Sequence, residues 1–115
     1  MEFESIRALQ HEGEHEQALE ALEGNQFKQS AWAELLRGLS LTLLGRGGEA
    51  LPALKEGLAA EPDPEAMALR SDTGLALLLL GQPLIALPHL EAVVQSGNAA
   101  AVDFGRLAAA LAALE

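Results

Sequence analysis

Gly38-Leu39-Ser40-Leu41-Thr42-Leu43-Leu44-Gly45, with Ala50-Leu51-Pro52-Ala53-Leu54 close behind, recurs 36 residues on as Gly74-Leu75-Ala76-Leu77-Leu78-Leu79-Leu80-Gly81 and Ala86-Leu87-Pro88-His89-Leu90, with ten of the thirteen positions unchanged. A fixed period without a gap means that one structural unit has been stacked on itself. A fainter copy lies 32 residues before the middle one: Gly13 corresponds to Gly45, Ala18 and Leu19 to Ala50 and Leu51, and Leu22 to Leu54. The chain thus reads as three units, about 1–27, 30–62 and 66–98, with residues 99–114 left for a closing helix, all in one domain spanning 1–115.

Each unit reads as two helices around a turn, because apolar residues recur at helical spacing on both sides of a break that contains glycine. In the middle unit Gly38, Leu41 and Leu44 mark one face of a first helix, and Ala50, Leu51, Leu54 and Leu58 one face of a second. The turn is expected over residues 45–48. Pro52 and Pro88 are expected in the first turn of their helices, where backbone N–H groups have no intrahelical partner to lose. Pro62-Asp63-Pro64 and Ser96-Gly97-Asn98 have strong turn composition and close the second and third units. Seven helices and no strand follow.

Composition agrees. Half of the 115 residues are apolar, aromatics are scarce, and leucine and alanine, both good helix formers, dominate. A net charge of −10 repels phosphate backbones and anionic lipid heads, whose binding begins with lysine and arginine, so neither nucleic acid nor membrane is expected as a partner. Apolar runs such as residues 75–80 are far short of the roughly 20 residues needed to span a bilayer. The absence of cysteine suits a reducing compartment, the acidic start Met1-Glu2-Phe3-Glu4 is unlike a secretory signal, and the cytoplasm is the expected location.

The spacing of Gly38, Leu41, Gly45, Ala50 and Pro62 resembles the tetratricopeptide repeat family, and Gly74, Leu77, Gly81 and Ala86 repeat the match with Asn98 where the proline would stand. The first unit keeps Leu9, Gly13 and Ala18 but has Ile6 at the usual small position. Beyond Asn98 the register puts Phe104, Leu107, Ala108 and Leu111 on the inward face of a capping helix. Glu34 and Arg37, and Arg70 and Thr73 one unit later, depart from the apolar residues usual in the first helix; Glu34 and Arg37 are spaced to pair. The resemblance implies a right-handed α-solenoid of antiparallel helix pairs that works as a protein-interaction scaffold, without cofactor and without catalysis.

It also implies a concave groove lined by the first helix of each unit. Carried over residue by residue, the groove holds Phe3, Arg7, Gln10 and His11 from the first unit, Trp32, Leu35, Leu39 and Leu43 from the second, and Ala68, Ser71, Leu75, Leu78 and Leu79 from the third. Such a groove is apolar at its centre and suits an amphipathic helix or an extended peptide with bulky side chains. The lysine and asparagine clamp of some family members has no counterpart here. The alternatives are a structural or self-assembly unit whose groove is filled by its own leucines, and a chaperone-like holder of a partner. The closing helix carries Ala109, Ala110, Ala112 and Ala113 where a cap should be polar, which suggests a face for homodimerisation.

One motif points elsewhere. His11-Glu12-Gly13-Glu14-His15 satisfies HExxH, in which one helix offers two imidazoles to zinc while the glutamate activates bound water, a remote zinc-hydrolase alternative. The repeat register instead puts Gly13 in a turn, which separates the two histidines onto different helices. His89 and the five serines lack the neighbours of a catalytic group. Acid outnumbers base seven to one over the first 25 residues, which reads as a solvated face or a surface for a basic partner.

Overall fold

The computed structural model describes residues 3–24, 30–59 and 67–115, with the backbone alone for Met67 and Ala68. Among these residues it is all-α, with seven helices: α1 (Phe3–His11), α2 (His15–Leu22), α3 (Ala31–Leu43), α4 (Gly47–Ala59), α5 (Met67–Leu79), α6 (Pro83–Gln95) and α7 (Ala101–Ala113). Two compact units form, Met1–Pro62 with α1 to α4 and Asp63–Glu115 with α5 to α7. The expected turn at Pro62, Asp63 and Pro64 lies outside the described residues.

The repeat is visible in the backbone of its turns. Gly13, Gly45 and Gly81 all have positive φ, 80°, 77° and 73°. In each case the glycine N–H donates to the carbonyl three residues back, and the next N–H donates to the carbonyl five residues back: Gly45 to Thr42 and Arg46 to Leu41, Gly81 to Leu78 and Gln82 to Leu77, Gly13 to Gln10 and Glu14 to Leu9. This double closure satisfies the last carbonyls of the first helix and requires a left-handed residue, which glycine adopts without a steric penalty. It also makes the turn shorter than the expected residues 45–48. Gly47 and Gly48 already belong to α4, and Pro52 and Pro88 are each the sixth helical residue rather than part of the first turn. Both prolines are exposed, as are Gly48 and Leu84, whose carbonyls lose their intrahelical donor, so water can take its place.

Within the first unit α3 is the centre, packed against α1, α2 and α4. Ser30 starts it, its hydroxyl accepting the Ala33 N–H at 3.3 Å. Ile6, Leu22, Leu35, Leu36 and Leu54 are fully buried around it. Gly38 seats Leu54: a Cβ there would stand 2.5 Å from that leucine. Gly57 seats Leu35 in the opposite sense, at 2.7 Å. In the second unit Gly74 seats Leu90 at 2.6 Å, the same contact 36 residues on. The equivalence of Gly38 and Gly74 therefore extends from backbone to packing. The polar departures in the first helices are accommodated too. Arg37 pairs with Glu34 and donates to the Leu22 carbonyl at 3.2 Å, where the C-terminus of α2 favours a cation. Thr73 is fully buried with its hydroxyl on the Leu69 carbonyl at 2.8 Å.

Candidate functional site

The four aromatic residues of the chain are Phe3, Phe27, Trp32 and Phe104. Two of them meet. Phe3 of α1 and Trp32 of α3 stack with ring centroids 5.7 Å apart and planes 29° from parallel, both half-buried. Sequence spacing assigned both to one groove, and packing of α1 on α3 joins them across 29 residues of chain. A stacked, partly exposed indole and phenyl pair offers a broad, rigid apolar surface with one polar N–H, a combination suited to anchoring a partner's side chain. Arg7, one turn after Phe3, is half-buried, and Leu43, the last residue of α3, is 56% exposed.

The middle of the expected stripe is closed. Leu35 and Leu39 are 1% and 5% exposed, so they belong to the core and do not line an open surface. The reason is the position of α3, which is covered by helices on three sides, with Leu35 occupying the Gly57 seat on α4. Gln10 is likewise withdrawn. Its amide donates to the Leu36 carbonyl at 2.8 Å and to Ser40 Oγ at 2.9 Å, while its oxygen accepts from Arg7 at 3.0 Å. His15 Nδ1 lies 3.4 Å from the same Ser40 hydroxyl. This buried chain of polar groups ties α1 and α2 to α3. Ser40 is fully buried.

In the second unit Ser71 is not free to line a groove, because α7 covers it. Its hydroxyl donates to Asp103 and accepts from Arg106 at 2.9 Å, and Arg106 also reaches Asp72 at 3.0 Å. Asp103 accepts the Ala100 N–H at 2.8 Å with its other oxygen, which caps the start of α7. The Ser71 hydroxyl first and the Ala100 N–H second hold the Asp103 carboxyl below its ordinary range; burial pushes it up, and Arg106 adds to the lowering. Leu75 and Leu78 are half-buried, and Leu79 is 61% exposed at the position equivalent to Leu43. The side chain of Ala68, also expected in the groove, lies outside what is described. His89 is half-buried beside Leu90, and burial first and the Arg70 charge second lower its pKa.

The α7 register differs from the expected one. Asp103 and Ala110 face inward, with Arg106 and Leu107 half-buried between them, while Phe104, Ala108 and Leu111 point outward, Phe104 at 53% and Leu111 at 50% exposure. The Asp103 and Arg106 bonds to α5 fix this rotation, and Ala110 then falls 36 residues after Gly74 at the small position of the repeat. Ala110 is fully buried and drops out of the expected dimer face, whereas Ala109, Ala112 and Ala113 remain exposed. Sequence reading missed Asp103 and Arg106; the available signal was an acid three residues into a helix that begins without a capping side chain.

HEGEH does not form the helical geometry its zinc chemistry requires. α1 ends at His11, Gly13 turns the chain, and α2 starts at His15, with His11 and Glu12 exposed. Among the described residues no group of three or more His, Asp or Glu side chains is placed to hold a metal ion. The acidic first unit does carry an open cleft of about 410 Å³ between α2, α3 and α4, floored by Leu19 and Leu41 and rimmed by Glu16, Glu20 and Glu23, with Arg37 and Arg46 held by Glu34 and Glu49. Among the described residues no helix is long and apolar enough to cross a membrane. No protein-family model, no curated protein and no solved structure matches this chain.

Proposed function

We propose that this chain is a protein-interaction module of the tetratricopeptide kind, which takes a helix or extended peptide of a partner by seating a bulky apolar side chain on the Phe3–Trp32 pair. The stacked pair carries the reading. In a chain this poor in aromatics, two of them are shared between two helices and left half-open, where burying them fully would have stabilised the fold more. The exposed Leu43 extends the apolar surface toward the end of α3. Arg7, which bonds Gln10 one turn from Phe3, gives that edge a polar character. The partner side is therefore amphipathic, apolar against the rings and polar toward Arg7. The module works in the cytoplasm as a scaffold or as a holder of a partner, and no catalytic role is assigned to it.

Trp32 is the only tryptophan, so its emission reports on the site directly. Peptides selected from a random library on the immobilised full chain are expected to shift that emission on titration. They are also expected to lose most of their affinity for Trp32→Ala, by about 2 kcal/mol as for an interface anchor, while the circular dichroism of the variant stays helical. Selected peptides that bind the variant as well as the parent would defeat the proposal. A second reading, a structural unit whose groove is filled from within, is favoured by the burial of Leu35, Leu39 and Ser71. It expects no selective binder and a tryptophan emission indifferent to every peptide.

A further inference from the structure

Glycines inside the described helices fall into three kinds. Gly38, Gly57 and Gly74 each lie under a leucine of a neighbouring helix, so the missing side chain is used. Gly47 and Gly48 sit in the first turn of α4, where a glycine costs the helix little. Gly105 is in the interior of α7 and has nothing within 4 Å of where its Cβ would be. A glycine there weakens the helix relative to alanine, and no contact within the unit makes use of the room.

At about 3.6 residues per turn, Gly105 lies in line with Ala101, Ala108 and Ala112 on the side of α7 opposite the buried Asp103 and Ala110. Phe104 and Leu111 border that line, 53% and 50% exposed. No charged residue occurs in 107–114, and the two charges of α7, Asp103 and Arg106, are spent on Ser71 and Asp72. The face thus carries seats and knobs together. They are also mirror-placed: Gly105 and Leu111 are each three residues from Ala108, and Phe104 and Ala112 are each four.

We propose that a second copy of this chain covers that face, with the two α7 helices crossing antiparallel about a two-fold axis at Ala108, so that Leu111 of each copy fills the Gly105 seat of the other and Phe104 rests on Ala112. Two arguments select a second copy over a foreign helix. A two-fold contact sets one patch against itself and therefore needs knobs and seats in equal number on one surface, which this face supplies. Two chains of net charge −10 repel, so their contact must lie where charge is absent, as it is along 107–114. The contact repeats between copies what Leu54 on Gly38 and Leu90 on Gly74 do within one. A helix of thirteen residues is about 20 Å long and about 10 Å across, so the area falls well below the roughly 800 Å² per partner of a standard interface, and the dimer is a weak one. The inference is independent of the peptide-binding reading and can fail without it.

Sedimentation of the full chain from about 10 µM to about 1 mM, the range proper to a small interface, is expected to show the mass rising from 12.1 kDa toward twice that value. The chain has no cysteine, so single introduced thiols report unambiguously. Ala108→Cys, at the axis, is expected to oxidise to a disulfide-linked dimer much faster than Val102→Cys, which is 55% exposed but far from its own symmetry mate. Gly105→Leu is expected to keep the helical circular dichroism and the peptide binding of the parent and to lose the association; Leu111→Glu is expected to do the same. A strict monomer throughout the range overturns the proposal. So does a dimer in which Ala108→Cys crosslinks no faster than Val102→Cys, or one that Gly105→Leu leaves unchanged.

Discussion

Adding one methyl group at Gly38 brings a carbon to 2.5 Å from the buried Leu54 and to 3.3 Å from the Ala50 carbonyl, whereas the same methyl at Gly105 meets nothing within 4 Å. The two substitutions should therefore have opposite signs. Gly38→Ala is expected to destabilise by about 1–3 kcal/mol, since Leu54 must leave its place in a filled core. Gly105→Ala is expected to stabilise by about 0.5–1 kcal/mol through helix propensity alone. Urea unfolding of both variants at a low concentration, where the chain is monomeric, measures the pair; equal signs would mean that the glycine seats are not what orders the helices. Gly45 answers to a different cause. Its φ of 77° and open surroundings make any side chain there a backbone problem rather than a packing one.

At the scale of the element, α7 shows polar contacts overriding apolar pattern. An alanine- and leucine-rich helix can present more than one apolar stripe, and burial alone favours the side with Phe104 and Leu111. Asp103 and Arg106 instead need Ser71 and Asp72, and a buried carboxylate without such partners is costly enough to decide the rotation. Asp103→Ala is expected to cost about 1–3 kcal/mol and to raise hydrogen exchange along α7 ahead of α3 and α4. Acid should act on the same unit. His89 is favoured neutral in the fold, so its contribution is whole above the ordinary 6.5 and declines as pH falls from there toward the lower folded value. The Asp103 contribution persists above its ordinary 3.8 and is lost as pH falls through a folded value lower still. Melting temperature followed downward from pH 7 is expected to fall first through His89, and His89→Gln is expected to flatten that first decline.

For the whole molecule the governing quantity is charge. Seventeen acidic residues against seven basic ones leave −10, and the ion pairs of the first unit, Arg46 with Glu49 exposed and Arg37 with Glu34 half-buried, offset little of the resulting self-repulsion. Salt screens repulsion over a Debye length of about 10 Å at 0.1 M, so raising ionic strength is expected to increase thermal stability even though it weakens those pairs. A melting temperature that falls with added sodium chloride would show that the pairs outweigh the net charge.

The helices and their turns were legible in the chain itself, because they rest on local physics. Glycine is the residue that accepts the left-handed turn, and its recurrence at 13, 45 and 81 marks all three closures in the sequence. The repeated Gly38 and Gly74 likewise announced a small-residue seat, since a period carries the same packing with it. Tertiary structure alone decided which leucines fill those seats, that Leu35, Leu39, Gln10 and Ser71 turn inward, and that Phe104 and Leu111 turn out. Those outcomes hang on contacts between residues 16 to 35 positions apart, where a hydrogen bond from Ser71 to Asp103 or a leucine over Gly57 leaves no trace in local periodicity.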